Sequence, residues 1–265
     1  MRRAKFASIV IAGLAFAGLV GGSAALAGNM VINGSFENSI PANGKAELET
    51  FNPNGTVLTP GAVIPNWTLD INASAKAFLV TGNNDSQSTG YLQVGVSPSG
   101  NFDGSNYLMV DSGPKYSTAL YQTVDGLIKG QKYDVAFYQA SSQQINTHGA
   151  TTDVWQVGLG DNLDLSKSNF QTSTLMNNPS AGSTPWTQQH LEFTADTTGS
   201  EVLSFYAVGL SVAAGGNPNS QPPIAYLDGV AMNPVPEPST VALTALGIIW
   251  VGAVHFRRQL KAAKA

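Results

Sequence analysis

The chain has 265 residues, a formal net charge of −4 at pH 7 and no cysteine. The lack of cysteine excludes disulfides, thiol nucleophiles, zinc–thiolate sites and iron–sulfur clusters. Hydrophobic residues make up 43% of the sequence and charged residues 11%. A region of about 200 residues with this composition can bury a sufficient core without disulfides.

The first residues have the pattern of a secretory signal peptide. Its parts are a basic start, an apolar run and a small-x-small cleavage site: Arg2, Arg3 and Lys5, residues 6–20, and Ala25-Leu26-Ala27. We expect signal peptidase to cut after Ala27, which removes residues 1–27 and leaves Gly28 as the first residue. No cysteine follows this site, which argues against a lipid-anchored lipoprotein.

Residues 28–235 are strongly acidic. They contain six lysines, no arginine and sixteen acidic residues, which gives a net charge of −10. Nucleic acids and anionic membranes bind proteins through cationic contacts. The charge therefore argues against both as partners, and against phosphorylated substrates. The acidity can serve solubility or cation binding, or it is simply a solvated surface.

Alternation of apolar and polar residues with a period of two predicts an all-β fold for residues 28–234. The clearest runs are residues 132–138, 154–159, 191–195, 202–208 and 224–232. Residues 202–208 are apolar on both faces, as in a central sandwich strand. Gly-, Asn- and Pro-rich turn signals separate the runs, which favours a single β-sandwich domain. We expect long loops at residues 38–62 and 160–185.

Short motifs follow one another in a recognisable order along this domain. They are Asn33-Gly34-Ser35-Phe36-Glu37, Ile64-Pro65-Asn66-Trp67-Thr68, Leu120-Tyr121-Gln122-Thr123-Val124, Gly130-Gln131-Lys132-Tyr133, Trp186 with residues 190–195, and Tyr226-Leu227-Asp228-Gly229-Val230. This order resembles the galactose-binding-like jelly rolls, the superfamily that holds many carbohydrate-binding modules, over almost all of residues 29–233. The resemblance implies a jelly-roll β-sandwich. It does not give the ligand, because the superfamily binds sugars, lipids or proteins.

The same resemblance implies a metal site at Glu37 and Asp228. In many such jelly rolls the first and last strands lie side by side and share a structural calcium ion. Calcium takes six to eight oxygen ligands, and the Asn33-Gly34 turn offers backbone carbonyls in addition to the two carboxylates. The alternative is that Glu37 is a buried acid that accepts hydrogen bonds from nearby backbone amides.

Aromatic and amide side chains are the candidates for sugar contacts, but the sequence does not select among them. Trp67, Trp155 and Trp186 occupy motif or strand positions, which favours a place in the core. Loop aromatics are freer to face a ligand: Tyr91, Phe102, Tyr107 and Tyr116. Amides that suit sugar hydroxyls, and equally suit extracellular loops, are Gln139, Gln143, Gln144 and Asn146.

Catalysis has little support, and we expect a non-enzymatic protein without catalytic residues. Between the two terminal segments the only histidines are His148 and His190, which lack the spacing of a metal-ligand pair. Nucleophile-elbow, phosphate-loop and zinc-helix motifs are absent from the sequence. A glycosidase needs only two carboxylates at the right separation, so an unrecognised hydrolase stays an alternative.

The C-terminal segment, residues 235–265, contains three features in order. They are Pro236-Glu237-Pro238, the apolar residues 241–256 and a basic tail at 257–265. Sixteen helical residues reach roughly 24 Å at 1.5 Å per residue, slightly less than a bilayer core of about 30 Å. The cations in the tail would keep the C-terminus in the cytoplasm.

This arrangement resembles the PEP-CTERM sorting signal, which is read by exosortase, a membrane peptidase of Gram-negative bacteria that make extracellular polysaccharide. The resemblance implies export, a transient inner-membrane anchor through residues 241–256, and cleavage near Pro236, Glu237 and Pro238. The released protein would reach the cell surface or the medium. An ordinary single-pass anchor is the alternative, but it does not explain the Pro-Glu-Pro motif.

Together these features predict an exported, non-enzymatic matrix or surface protein that is processed by exosortase and associates with exopolysaccharide. One alternative is a module that recognises a specific glycan. The other is a glycan-modifying hydrolase.

Overall fold

The computed structural model describes residues 28–39, 50–51, 57–59, 63–71, 77–81, 98–99, 103–112, 118–144, 146, 148–160, 169–211, 223–236 and 247–255. The chain divides into two compact units. One is Asn29–Val235, and the other combines Met1–Gly28 with Pro236–Ala265.

In the second unit, residues 247–255 are helical and carry exposed apolar side chains such as Ile249 and Trp250. Within the part of the chain that the structure describes, no helix is both long enough and apolar enough to cross a membrane. The predicted signal peptide, and residues 241–246 and 256–265 of the predicted sorting segment, lie outside the described residues.

The described residues of the first unit form thirteen strands. They are β1 (Thr50–Phe51), β2 (Val57–Thr59), β3 (Thr68–Ile71), β4 (Ala77–Thr81), β5 (Asn106–Asp111), β6 (Thr118–Leu127), β7 (Lys132–Gln143), β8 (Thr151–Gly160), β9 (Asn169–Thr172), β10 (Met176–Asn178), β11 (Thr187–Thr194), β12 (Gly199–Ser211) and β13 (Pro223–Pro234).

These strands pair antiparallel throughout. One sheet has the order β10-β8-β12-β6-β3, with β9 as its sixth strand paired to β8, and a second has the order β11-β7-β13-β5-β4. The pair β1-β2 forms a small separate sheet. The predicted all-β sandwich is therefore confirmed as two antiparallel sheets.

The predicted strand alternation places the core between the two sheets. On β7 the side chains of Tyr133, Val135 and Phe137 are buried, and on β8 Trp155, Val157 and Leu159 are fully buried. Phe205 on β12 lies at the centre of this core. Its ring centroid is 5.3 Å from that of Phe137 and 6.2 Å from those of Trp67 and Trp155.

The structure corrects three expectations. Strands β1 and β2 lie within the loop expected at residues 38–62, and β9 and β10 lie within the one expected at 160–185. The polar strands β9 and β10 carry little apolar alternation, and they form because they pair with the edge of β8. On β12 one face is buried, but Val202 and Val208 on the other face are only half-buried.

A buried carboxyl ties the two sheets together at one end. Asp153 on β8 accepts hydrogen bonds from the hydroxyls of Ser141 on β7 and of Ser112, which follows β5. Burial raises the pKa of Asp153 from 3.8 to about 7, although the two serine hydroxyls act to lower it, and nearby Asp111 adds to the rise. Gly209 on β12 leaves the space for this contact, since a Cβ there would overlap Asp153 and Ser112.

The raised pKa predicts that Asp153 makes the fold less stable as pH rises. Between pH 3.8 and about 7 the folded protein holds a proton that the unfolded chain releases. The contribution of Asp153 is therefore full below this window and falls through it, by at most about 1.4 kcal/mol per pH unit.

We expect Asp153→Asn to lack this decline, because the amide keeps the shape of the carboxyl and stays neutral. The measurement is the free energy of unfolding in urea, for wild type and variant, between about pH 5 and pH 8. A difference between the two proteins that stays constant across this range would contradict the assignment.

Candidate functional site

The outer face of the five-stranded sheet is the candidate site, and strand register decides which residues share it. On β7 the residues between the buried ones point away from the core. In register with Tyr138 are Gln188 on β11 and Asp228 on β13. Directly opposed residues of antiparallel strands lie on the same face. A row of three side chains, Gln188, Tyr138 and Asp228, therefore crosses this face.

One half of this face, here called the aromatic half, is closed. It comprises Val80, Tyr107, Met109, Ala140, Trp186, Ile224 and Tyr226. The ring centroids of Tyr107, Trp186 and Tyr226 lie 5.5–5.9 Å apart, and the three residues are at most 6% exposed. A ligand cannot reach these rings in this structure.

The other half, here called the polar half, is open. It comprises Lys132, Asp134, Ala136, Tyr138, Gln188, His190 and Glu192. Nδ1 of His190 lies 2.9 Å from Oδ2 of Asp134, and Nζ of Lys132 lies 2.6 Å from Oε1 of Glu192. The small side chain of Ala136 is in register with His190. The small side chain of Ala136 therefore lies on this face between the larger side chains of Tyr138, Asp134 and His190.

A bulge in β13 fixes the Tyr138 ring. The register between β13 and β7 shifts between Asp228 and Ala231, and Gly229 within the bulge has a φ of 57°. A Cβ on Gly229 would lie 3.0 Å from Cδ2 of Tyr138 and 3.4 Å from Cβ of Asp103. The tyrosine ring therefore lies against bare backbone, and a side chain at this position would displace it.

Glu37 and Asp228, the predicted metal ligands, both hold the loop at residues 103–106. Oε1 of Glu37 accepts the backbone amides of Ser105 at 2.5 Å and Asn106 at 2.6 Å. Asp228 accepts those of Asp103 at 3.2 Å and Gly229 at 2.7 Å. Asp228 is fully buried, whereas Glu37 is exposed. Both carboxylates thus anchor backbone amides.

Further oxygen atoms lie beside Glu37. The Ser105 hydroxyl donates to Oε2 of Glu37 at 3.2 Å, and Asn106 donates through Nδ2 to the Ser39 hydroxyl at 3.3 Å. Hydroxyl, amide and carboxylate oxygens are the ligands that calcium takes. Among the described residues no three or more His, Asp or Glu side chains are grouped to hold a metal. A cation here would therefore need hydroxyl, amide or backbone oxygens as well.

The tryptophan predictions are confirmed. Trp67 and Trp155 are buried between the sheets, and Trp186 is buried in the aromatic half of the outer face. Tyr107, expected to be free for a ligand, is buried beside Trp186, because β5 places it on the closed half. The other loop aromatics, Tyr91, Phe102 and Tyr116, lie outside the described residues.

Two of the candidate amides are buried and hydrogen-bond to the protein backbone instead of facing solvent. Gln139 and Gln143 are each 1% exposed. Nε2 of Gln139 donates to the Thr174 carbonyl at 2.7 Å, and the amide of Ala181 donates to Oε1 of Gln143 at 2.6 Å. Neither amide is placed to contact a ligand in this structure, and the sequence left the choice among the candidate amides open. Asn146 is exposed and Gln144 is half-buried.

Of the predicted processing residues, Pro236 alone is among the described residues. It is exposed and follows the end of β13 by two residues. The chain is anchored up to Val235, whose amide donates to the Lys132 carbonyl and whose carbonyl accepts from Gln131, each at 2.8 Å. Ala27, Glu237 and Pro238 lie outside the described residues.

Sequence reasoning did not single out Tyr138, nor the contact between Asp134 and His190. The alternation on residues 132–138 does place Asp134 and Tyr138 on the face away from the core. However, His190 is fifty-six residues from Asp134 along the chain, and only the pairing of β11 with β7 joins them.

No protein-family model matches the chain, and neither does any curated protein sequence. Among solved structures, it is similar to TmCBM61 in complex with β-1,4-galactotriose, with 14% identity over 78% of this chain and 99% of that chain and a TM-score of 0.39. The CBM22-2 xylan-binding domain of Xyn10C from Paenibacillus barcinonensis matches with 14% identity over 71% and 99% and a TM-score of 0.37.

The enzymatically active domain of bacteriophage CBA120 tailspike protein 4 also matches, with 14% identity and a TM-score of 0.41. The match covers 78% of this chain but only 21% of the tailspike chain. Carbohydrate-binding modules of two families are thus among the structural neighbours. Because the TM-scores are below 0.5, this similarity indicates neither a ligand nor an activity for the chain.

Proposed function

We propose that the unit Asn29–Val235 is a non-catalytic module that binds glycan chains through the polar half of the outer face. The observation that carries the proposal is the half-exposed Tyr138 ring, which lies close to Gly229 and shares the outer face with the small side chain of Ala136. The apolar face of a sugar ring can stack on this aromatic ring. Sugar hydroxyls can hydrogen-bond to the Asp134 carboxylate and to the exposed amide of Gln188.

Two side chains of this face have neighbours that limit their movement before a ligand binds. Because Gly229 has no side chain, the Tyr138 ring can lie close to the backbone of β13. The Asp134 carboxylate is held by its contact with His190. Side chains that are already fixed lose little conformational entropy on binding, so more of the contact energy appears as affinity.

Three carboxylates of this face are in contact with other groups, and such contacts prevent neither sugar binding nor catalysis, so experiment must separate the two. Asp134 contacts His190, Glu192 contacts Lys132, and Asp228 accepts two backbone amides. A glycosidase needs one carboxyl group as acid and a second as base or nucleophile, on opposite sides of the scissile bond. A fall in polymer size during incubation with the protein would identify the hydrolase alternative.

Tyr138→Ala should weaken binding to the extracellular polysaccharide of the native host by about tenfold, the factor that corresponds to about 1.4 kcal/mol. Binding is measured by co-sedimentation of the purified full chain with the polymer. Tyr206→Ala is the matched control, because Tyr206 is a half-buried tyrosine of the other sheet. Equal retention of both variants would contradict the assignment of the site.

A second pair of variants tests the position of the ring without removing it. Gly229→Ala and Gly130→Ala both place alanine at a positive φ, 57° and 83°, but a Cβ on Gly130 would meet nothing within 4 Å. The shared backbone strain of about 1 kcal/mol should therefore lower stability in both. Only Gly229→Ala should also weaken binding.

Calcium at Glu37 and Asp228 is a separate proposal, supported by the oxygen atoms of Ser39, Ser105 and Asn106 near Glu37. A bound calcium ion would tie the loop at 103–106 to the sheet that carries Tyr138.

We expect a calcium chelator to lower the unfolding temperature of the wild type, because a ligand that binds only the folded state stabilises it. Glu37→Gln keeps an oxygen that can accept the loop amides but loses the charge, and it should not respond to the chelator. An equal shift in both proteins, or none in either, would count against the metal.

Export and exosortase processing are proposed for the full chain, supported by the Pro236-Glu237-Pro238 motif with its apolar and basic neighbours. In a host that contains exosortase, intact mass of the released protein should place its termini at Gly28 and close to Pro236. Replacing all three motif residues by alanine should keep the protein in the membrane fraction. Release of this variant at the wild-type level would favour another processing route.

A further inference from the structure

We infer that the polar half of the outer face selects glycans without acidic groups, and that it prefers sugars bearing free amino groups. This inference rests on the proposed glycan-binding function and names the chemical class of its ligand. Three observations support it: the acids around Tyr138, the contacts that Lys132 and His190 already make with acids, and the charge of the whole domain.

Acidic side chains lie near Tyr138 and Ala136. Asp134 lies beside Ala136, and Glu192 is in register with Asp134 on the neighbouring strand. Asp103 is exposed and lies near the Tyr138 ring across Gly229. A sugar carboxylate or sulfate placed on Tyr138 would meet like charges, which are costly when water is displaced between them.

The lysine and the histidine of this half are both already in contact with acids. Nζ of Lys132 pairs with Glu192, and Nδ1 of His190 contacts Asp134. For Lys132 or His190 to bind an acidic sugar, it would have to leave its present carboxylate partner. That carboxylate would then lie beside the negative charge of the sugar. A sugar amine requires no such exchange, because a carboxylate oxygen that already accepts one hydrogen bond can accept another.

The domain reinforces this local preference at longer range. Residues 28–235 carry a net charge of −10 and no arginine. A polyanionic chain is repelled as it approaches, and a polycationic chain is attracted. At physiological salt this contribution is largely screened beyond a Debye length of about 8–10 Å. The contacts at Asp134 are short, so they should persist at salt concentrations that abolish the long-range effect.

The test uses three derivatives of one β-1,4-glucan backbone: the neutral polymer, a 2-amino form and a 6-carboxylate form. The full chain is titrated with each at low and at physiological salt, and Tyr138→Ala is titrated in parallel. Only binding that Tyr138→Ala loses is assigned to the site, which removes non-specific attraction to the amino polymer. We expect affinity to fall from the amino to the neutral to the carboxylate polymer, with about tenfold or more between the extremes.

Asp134→Asn should lower the ratio of amino to neutral binding by about two- to fivefold, the range usual for an exposed charge pair. Asp196→Asn removes the same charge from an exposed turn after β11 and should leave the ratio unchanged. If the two variants have equal effects, the selection comes from the whole domain and the assignment to this site is overturned.

The two proposals fail in different ways. If Tyr138→Ala changes binding to none of the three polymers, the glycan-binding function itself is wrong. If Tyr138-dependent binding is strongest for the carboxylate polymer, the function stands and the inferred ligand class is wrong. Circular dichroism of every variant establishes that lost binding does not reflect unfolding.

Discussion

The period-two alternation of β7 is the constraint on which the rest of the structure depends. Its buried residues pack against Phe205 and the other core rings, while Asp134, Ala136 and Tyr138 face outward between them. A shift of one residue in the pairing with β11 or β13 would exchange these two sets. The energy of burying Tyr133, Val135 and Phe137 therefore also holds the candidate site in register, and any change that weakens the core on β7 also affects the outer face.

Two local features, in addition to the strand register, position the residues of the candidate site. The bulge at Gly229 removes a side chain from beside Tyr138, and the carboxylates of Glu37 and Asp228 hold the neighbouring loop by its backbone amides. Asp228 takes part in both, because it accepts the amide of Gly229 as well as that of Asp103. The loop, the bulge and the tyrosine ring consequently form one connected unit.

The sequence predicts the sandwich because long strands such as β7 and β8 bury every second residue, and local alternation reports this directly. It misses β9 and β10, since those strands form by pairing with the edge of β8, and a backbone pairing leaves no hydrophobic pattern.

The sequence identifies only part of the candidate site for the same reason. Alternation marks Tyr138 and Asp134 as outward, but the approach of His190 depends on a strand partner far along the chain. Gln139 and Gln143 look like surface amides in sequence, whereas the structure uses them to satisfy backbone groups of Thr174 and Ala181.

The closed aromatic half bears on the kind of binding that the open half can support. Three rings of the outer face, those of Tyr107, Trp186 and Tyr226, pack against one another, and the partly buried Tyr138 packs against the same cluster. The proposed stacking therefore depends on the part of the Tyr138 ring that stays exposed. One stacked sugar and a few hydrogen bonds at a shallow, solvated surface give a weak individual contact. A polymer offers the same unit many times along one chain, so abundant polymer keeps most of the protein bound even when each single contact is weak. Binding through one half-exposed ring, as proposed, therefore suits association with a bulk polysaccharide better than tight recognition of a short oligosaccharide.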